Sequence, residues 1–257
     1  MAFKDLQAFI QALKERGELK EIESEVDSEL EITEIADRVV KAGGPALLFK
    51  KVKGSEYPLL INAFASYNRT AFALGSEPVD GTEAAGRLAL DKIAGEIGDL
   101  IDVSSYAGFI GKAKAIPKLA RLASVLPLPS VFGAPCQELV DKEVNLFPSP
   151  SLSAGPQDGG RFLTLPLVFT IDPETGHQNV GMYRMQVYDK NTTGMHWHLH
   201  KDGRAIWEKW KARGEKMPVS VVLGCDPAMI YAATAPYPPS SMKPCSPASC
   251  VRRPLKG

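Results

Sequence analysis

The chain of 257 residues has no excess of either charge: thirty Lys and Arg offset thirty Asp and Glu. A balanced surface offers no bulk field for a polyanion, so no nucleic-acid partner is expected. Long hydrophobic runs are missing too, none approaching the ~18–20 residues of a spanning helix. The start, Met1-Ala2-Phe3-Lys4-Asp5-Leu6, carries an early acid and no apolar centre of a signal peptide, and the expected compartment is cytoplasmic. Cysteine is scarce: Cys136, Cys225, Cys245 and Cys250 form no Cys-x-x-Cys pair. That spacing excludes a disulfide framework and a zinc ribbon, leaving Cys136 and Cys225 as small core residues.

What is present is material for a core, with 44% apolar and 23% charged residues. Leu6, Phe9, Ile10 and Leu13 mark one helix face that Gly17 can close. Residues 19–22 read as a strand, and Ile32, Ile35, Ala36 and Val39 as a second helix ending at Gly43-Gly44. Residues 45–49 and 58–62 read as strands, giving an α/β order, and Thr82 caps a helix carrying Leu90, Ile93, Ala94 and Ile97. A basic, partly helical stretch at 112–126 leads into a proline-rich connector at 127–135, where a domain boundary is placed. Beyond it, residues 162–170, 180–188, 193–200 and 219–223 read as strands of a barrel or curved sheet. One helix with Ile206, Trp207 and Trp210 on its inner face intervenes, and another starts at Asp226-Pro227 with a capping acid. Residues 148–160, rich in Pro, Ser and Gly, read as a disordered loop.

Three of the four histidines fall in Met195-His196-Trp197-His198-Leu199-His200, and His177 lies just upstream. On a strand, His196, His198 and His200 share one side, but the outer two stand about 13 Å apart. A zinc ion needs its nitrogens within about 2.1 Å of one point, so a regular strand cannot supply all three. A neighbouring pair can chelate; another imidazole is left to bond a phosphate or a flavin ring. His177 reads as an ordinary structural histidine. Arg184, flanked by Met182, Tyr183, Met185 and Val187, points its fork at something specific, and a carboxylate or phosphate suits it.

Residues 179–186, Asn-Val-Gly-Met-Tyr-Arg-Met-Gln, followed by 190–198, Lys-Asn-Thr-Thr-Gly-Met-His-Trp-His, closely resemble the UbiD family of non-oxidative decarboxylases. So do residues 30–38, 43–49, 133–137 and 224–228, in family order. The resemblance implies an α+β chain: an N-terminal α/β domain over 1–126, then an incomplete split β-barrel flavin-binding domain over 127–238. It implies prenylated FMN, a divalent metal such as Mn2+, and K+ at the cofactor's phosphate. By position Asn179 and His200 resemble metal ligands. Met182, Tyr183, Arg184, His196, Trp197 and His198 resemble cofactor-lining residues, with Lys201 and Asp202 near the phosphate. Arg184 resembles the catalytic arginine that pairs with an acid and steadies the substrate carboxylate. The implied substrate is a small aromatic acid, typified by 4-hydroxy-3-polyprenylbenzoate of ubiquinone biosynthesis. Relatives form homo-oligomers, and a polyprenylated substrate implies peripheral membrane association. Asn179 and Arg184 are five apart, so a bulge or strand start near Gly181 is expected to bring them to one site. A non-catalytic flavin- or metal-binding module is the alternative reading of the same residues.

The tail, residues 239–257, departs from the family and shows no periodicity where a buried helix should follow. The codons of Met242-Lys243 read one base early encode Glu, and the same frame over 244–251 permits Ala-Leu-Phe-Ala-Gly-Phe-Leu-Arg. That is the helix the resemblance implies, with its third metal ligand, so the tail reads as frameshifted and the chain as a truncated, inactive form. Nucleotide sequencing across Met242-Lys243 is expected to show the one-base shift; a relative carrying this tail in a single clean frame would end the idea.

Overall fold

The computed structural model describes residues 3–78, 80–101, 138–149 and 151–234. The stretch at 112–126, the 127–135 connector with its boundary, Cys136 and the tail lie outside the described residues. Helix α1 (Leu6–Glu15) starts where the Asp5 carboxylate accepts from the Ala8 amide at 2.8 Å and stops before Gly17 at φ 71°. Strand β1 (Leu19–Val26), helix α2 (Glu31–Lys41) and strand β2 (Ala46–Val52) form a parallel crossover unit, and β3 (Leu59–Ile61) returns antiparallel to β2. The Ala46-Leu47-Leu48-Phe49 run is buried throughout, as a strand covered on both faces must be. On one face Leu47 and Phe49 meet Ile32 of α2, with Val26, Val52 and Leu59. On the other, Ala46 meets Phe9 and Leu13 of α1, with Phe72 of α3 (Tyr67–Ala73). Helix α4 (Glu83–Ile101) begins at Thr82, whose hydroxyl accepts from the Ala85 amide, and packs on α3.

The second half builds two more three-stranded sheets, ordered β6-β5-β9 and β4-β7-β8. Their strands are β4 (Phe162–Leu163), β5 (Leu167–Ile171), β6 (Gln178–Met182), β7 (Met185–Val187), β8 (Thr193–Met195) and β9 (Val219–Val222). Helix α5 (Asp202–Ala212) follows β8, and a short helix α6 (Pro227–Ala232) is capped by Asp226. All pairings in these two sheets are antiparallel, and among the described residues neither closes into a barrel.

Three strands expected as continuous are broken. The run 162–170 splits at Leu165, whose φ is 56°, and at Pro166, which has no amide to give a ladder. The run 180–188 splits at Tyr183-Arg184, and both splits carry the chain from one small sheet to the other, making a corner. The run 193–200 ends at Met195, so His196, His198 and His200 do not alternate on a strand face. The described part of the 148–160 loop is held in place: Leu152 is buried in the first core, and its amide and carbonyl pair with Phe162. Leu6 and Phe64 pack against both the second and third clusters, so the α/β layer and the β6-β5-β9 sheet share a core.

Phe49 is fully buried at the centre of the first sheet. Phe49→Ala is expected to cost about 3–5 kcal/mol, read as a lower urea midpoint; a loss under about 1 kcal/mol would contradict this core.

Candidate functional site

The expected bulge at Gly181 is absent: β6 stays in register with β5 from Gln178 to Met182. The chain turns two residues later, and glycines make that turn possible. A Cβ on Gly181 would lie 2.5 Å from the Tyr183 ring, so only glycine lets the ring fold back over its own strand. A Cβ on Gly203, in the first turn of α5, would overlap Trp197. Tyr183 and Trp197 sit 4.7 Å apart, and the Tyr183 hydroxyl accepts from the Gly203 amide at 3.0 Å. Strand end, histidine stretch and helix start are thus pinned at one buried point. Burial pushes the Tyr183 hydroxyl up; the Gly203 amide works against this and the Asp202 charge adds to it.

Asn179 lies beside that point and its side chain interacts with the Tyr183 hydroxyl, but its buried Nδ2 makes no hydrogen bond of good geometry. Its cross-strand neighbour Thr170 is fully buried, and the Thr170 hydroxyl is also unpartnered. Two adjacent orphaned polar groups cost about 1–3 kcal/mol each unless something outside the chain completes them. That is a site chemistry: a carboxamide and a hydroxyl offered to a polar ligand.

Arg184 turns the other way at the same corner. Its guanidinium lies 3.8 Å over the Phe162 ring. Nη1 donates to Asp158 Oδ1 at 3.1 Å and Nη2 to Oδ2 at 2.7 Å. The Arg184 guanidinium holds the Asp158 carboxyl at about 2, helped by the Gly155 and Ala154 amides against the opposing effect of burial. Asp158 is the site residue that the sequence reading missed. The Asp-Gly-Gly after Pro156-Gln157 looked like loop filler, and only the fold brings it 26 positions forward to Arg184.

The other expected residues scatter around the corner. The His196 amide donates to the Arg184 carbonyl at 3.1 Å, and the His196 and His198 rings meet edge-on at 5.6 Å. His200, Lys201 and Asp202 are exposed at the start of α5. No hydrogen bond joins His200 to Asn179 or Arg184, and no cluster of three His, Cys, Asp or Glu is found among the described residues. Met182 packs with Leu167, Val180 and Ile230, on the face opposite Tyr183. His177 is exposed in the β5–β6 turn, not on a strand, and its backbone amide donates to the Thr175 hydroxyl.

Trp207, expected in the core, instead lies between Arg204 at 4.5 Å and Lys211 at 4.9 Å. There it lines an open concavity of about 730 Å3 with Met185, Met195, Trp197 and Met217. Trp210 is tied by its indole N–H to the Ile171 carbonyl. The concavity falls within the roughly 300–1,000 Å3 of small-molecule sites. Trp197 joins it to the Tyr183 corner.

Two family models match. The 3-octaprenyl-4-hydroxybenzoate carboxy-lyase N-terminal domain covers residues 10–89, and the Rift-related domain of the same carboxy-lyase covers residues 130–252, running past the 238/239 boundary drawn from sequence. An uncharacterized Archaeoglobus fulgidus protein is 42% identical over 242 residues, covering 93% of this chain and 47% of its own length. An uncharacterized Aquifex aeolicus protein is 38% identical, with 92% and 47% covered. The open form of vanillic acid decarboxylase from Sedimentibacter hydroxybenzoicus superposes with a TM-score of 0.70 at 25% identity, over 95% of this chain and 47% of that one. An evolved dimeric form of the UbiD-class enzyme HmfF from Pelotomaculum thermopropionicum, in complex with prFMN, gives 0.68 at 21% identity over 90% and 46%, a likeness of fold. The chain spans about half the length of the relatives it matches.

Two outcomes follow from the corner. Asp158 titrates at about 2 in the folded chain, below the ordinary carboxyl. Its contribution is therefore fully present above about pH 4 and lost as pH falls towards about 2. Carbon NMR of the Asp158 carboxyl measures this; a midpoint near 4 would break the assignment. Gly203→Ala is expected to separate Trp197 from Tyr183, lowering stability by about 1–3 kcal/mol and changing tryptophan fluorescence; unchanged emission would contradict the packing.

Proposed function

The chain belongs to the UbiD family, matching its N-terminal and central parts, and from that premise we propose that it carries the cofactor-holding portion of a prenylated-FMN-dependent decarboxylase acting on an aromatic acid. The substrate class we infer is a hydroxybenzoate, with 4-hydroxy-3-polyprenylbenzoate of the ubiquinone route as the reference compound and the cytoplasm as the setting. The observation that carries the site reading is the buried Asn179 Nδ2 beside the Tyr183 corner, a donor without a well-formed hydrogen bond, which fits an acceptor group arriving from outside the chain.

In this reading Asn179 and His200 hold a divalent metal, Mn2+ by family habit, while Lys201 and Asp202 serve the phosphate and a K+ ion. His196 and His198, with the Tyr183–Trp197 pair, flank the flavin, while Met182 packs behind the strand on the opposite face. The prenylated flavin, when bound, supplies an electron sink for the carbon that loses carbon dioxide. The chain's own contribution is placement. Arg184 orients the acid through two charge-assisted hydrogen bonds, and the apolar wall of Trp197, Met185 and Met195 excludes water from the ring.

Reconstitution with prenylated FMN and Mn2+, followed by gel filtration, tests the reading. Flavin absorbance should elute with the chain. Asn179→Ala and His200→Ala should weaken metal-dependent retention by more than about tenfold, the loss that even outer-sphere partners of a metal produce. Equal retention in both variants would overturn the metal assignment.

A further inference from the structure

The Arg184 guanidinium is already engaged, and the way it is engaged leaves one edge of the fork for a substrate. Arginine has five N–H donors in a fixed plane. Asp158 takes the end-on pair, with one carboxylate oxygen on each Nη, at 3.1 and 2.7 Å. The Phe162 ring covers one face of the plane at 3.8 Å. The remaining side-on pair of N–H groups, one on Nε and the second on the nearer Nη, has no acceptor among the described residues, and the side chain is 38% exposed.

Asp158 is not free to swing away from this pair. Its Oδ2 also accepts from the Ala154 and Gly155 amides, each at 3.0 Å, so displacement would strand two backbone donors as well as the guanidinium. The Asp158 amide in turn donates to the Gly155 carbonyl, and Gln186 holds the next residue through the Gly159 carbonyl at 2.8 Å. An incoming carboxylate therefore meets an arginine that is fixed in plane and partly neutralised.

We propose that Asp158 is a positioning residue that assigns the substrate carboxylate to the side-on edge of Arg184 and selects for it over simple anions. The proposal rests on the reading of Arg184 as the carboxylate-binding arginine. Partial neutralisation weakens attraction for any lone anion. A planar carboxylate recovers the loss by making two parallel bonds to the exposed edge, whereas chloride makes one contact. Without Asp158 the guanidinium carries its full charge and can rotate, so both anions bind and the discrimination disappears.

Benzoate and chloride titrations of the full chain, followed by nitrogen-15 NMR at the Arg184 Nε–H and carbon NMR at the Asp158 carboxyl, test this. Arg184→Lys assigns the signal. In the wild-type chain benzoate should move the Nε–H resonance and leave the Asp158 carboxyl in place. In Asp158→Asn the preference for benzoate over chloride should fall by about tenfold, because chloride gains most from the full charge of the guanidinium. A shifted Asp158 carboxyl with a still Nε–H would mean that Asp158 is displaced, and would overturn the proposal without use of any variant. An unchanged benzoate-to-chloride ratio in Asp158→Asn would overturn it too, since a loop-holding role moves both anions together. FMN binding, read by fluorescence quenching in the same samples, separates the two levels. FMN bound without a benzoate shift sinks this inference alone. An Nε–H shift without FMN binding sinks the flavin reading and leaves this one standing.

Discussion

The contact on which the second half depends is the hydrogen bond from the Gly203 amide to the Tyr183 hydroxyl, inside a cluster with Trp197. It joins the end of β6 to the histidine stretch and the start of α5, about 20 residues further along the chain. Two glycines are its precondition, because a methyl group at 181 or 203 would occupy the space of an aromatic ring. A buried phenol without that amide would lose its partner and pay the full desolvation cost, so the hydrogen bond and the close packing stand or fall together. The sheet-switching corner also sets the directions of the polar groups around it. Tyr183 turns inward beside Asn179, and Arg184, its neighbour in sequence, turns outward to Asp158.

Around this corner, attraction alone does not explain the arrangement of charge. The Arg184–Asp158 pair is partly exposed, with side-chain accessibilities of 38% and 19%, and exposed pairs contribute little to stability. Its bidentate geometry, the stacked Phe162 ring and two backbone donors on the acid are more than a stabilising surface pair requires. They fix an orientation, which is what a binding arginine needs. The orphaned Asn179 and Thr170 groups make the complementary point, since a core built for stability alone would have filled those positions with apolar side chains.

Much of the first half was legible in the sequence because local signals agreed. Leu6, Phe9 and Leu13 have helical spacing, with Gly17 as the stop, and Leu47 and Phe49 lie in a short apolar run between turn residues. The capped starts at Thr82 and Asp226 also appeared as read. The second half was less legible because its strands are short and change sheets. Alternation over 162–170 and 180–188 looked continuous, but Pro166 and the Tyr183 ring break it in ways that depend on tertiary packing. Histidines spaced two apart suggested one face, and the strand ended before the first of them. The Tyr183–Gly203 contact and the Asp158 partner had no local signal at all; each links residues 20 or more apart. Asn179 and Arg184 were singled out from composition and resemblance, whereas what each of them faces came only from the fold.

A crystal structure of the chain grown with FMN and Mn2+ tests the central claim most directly. The account predicts a phosphate beside His200 and Lys201, a metal ion on the Asn179 carboxamide oxygen, and the flavin ring on the Tyr183–Trp197 side of the corner. A flavin lodged elsewhere on the chain, with the Asn179 carboxamide still unengaged, would contradict it.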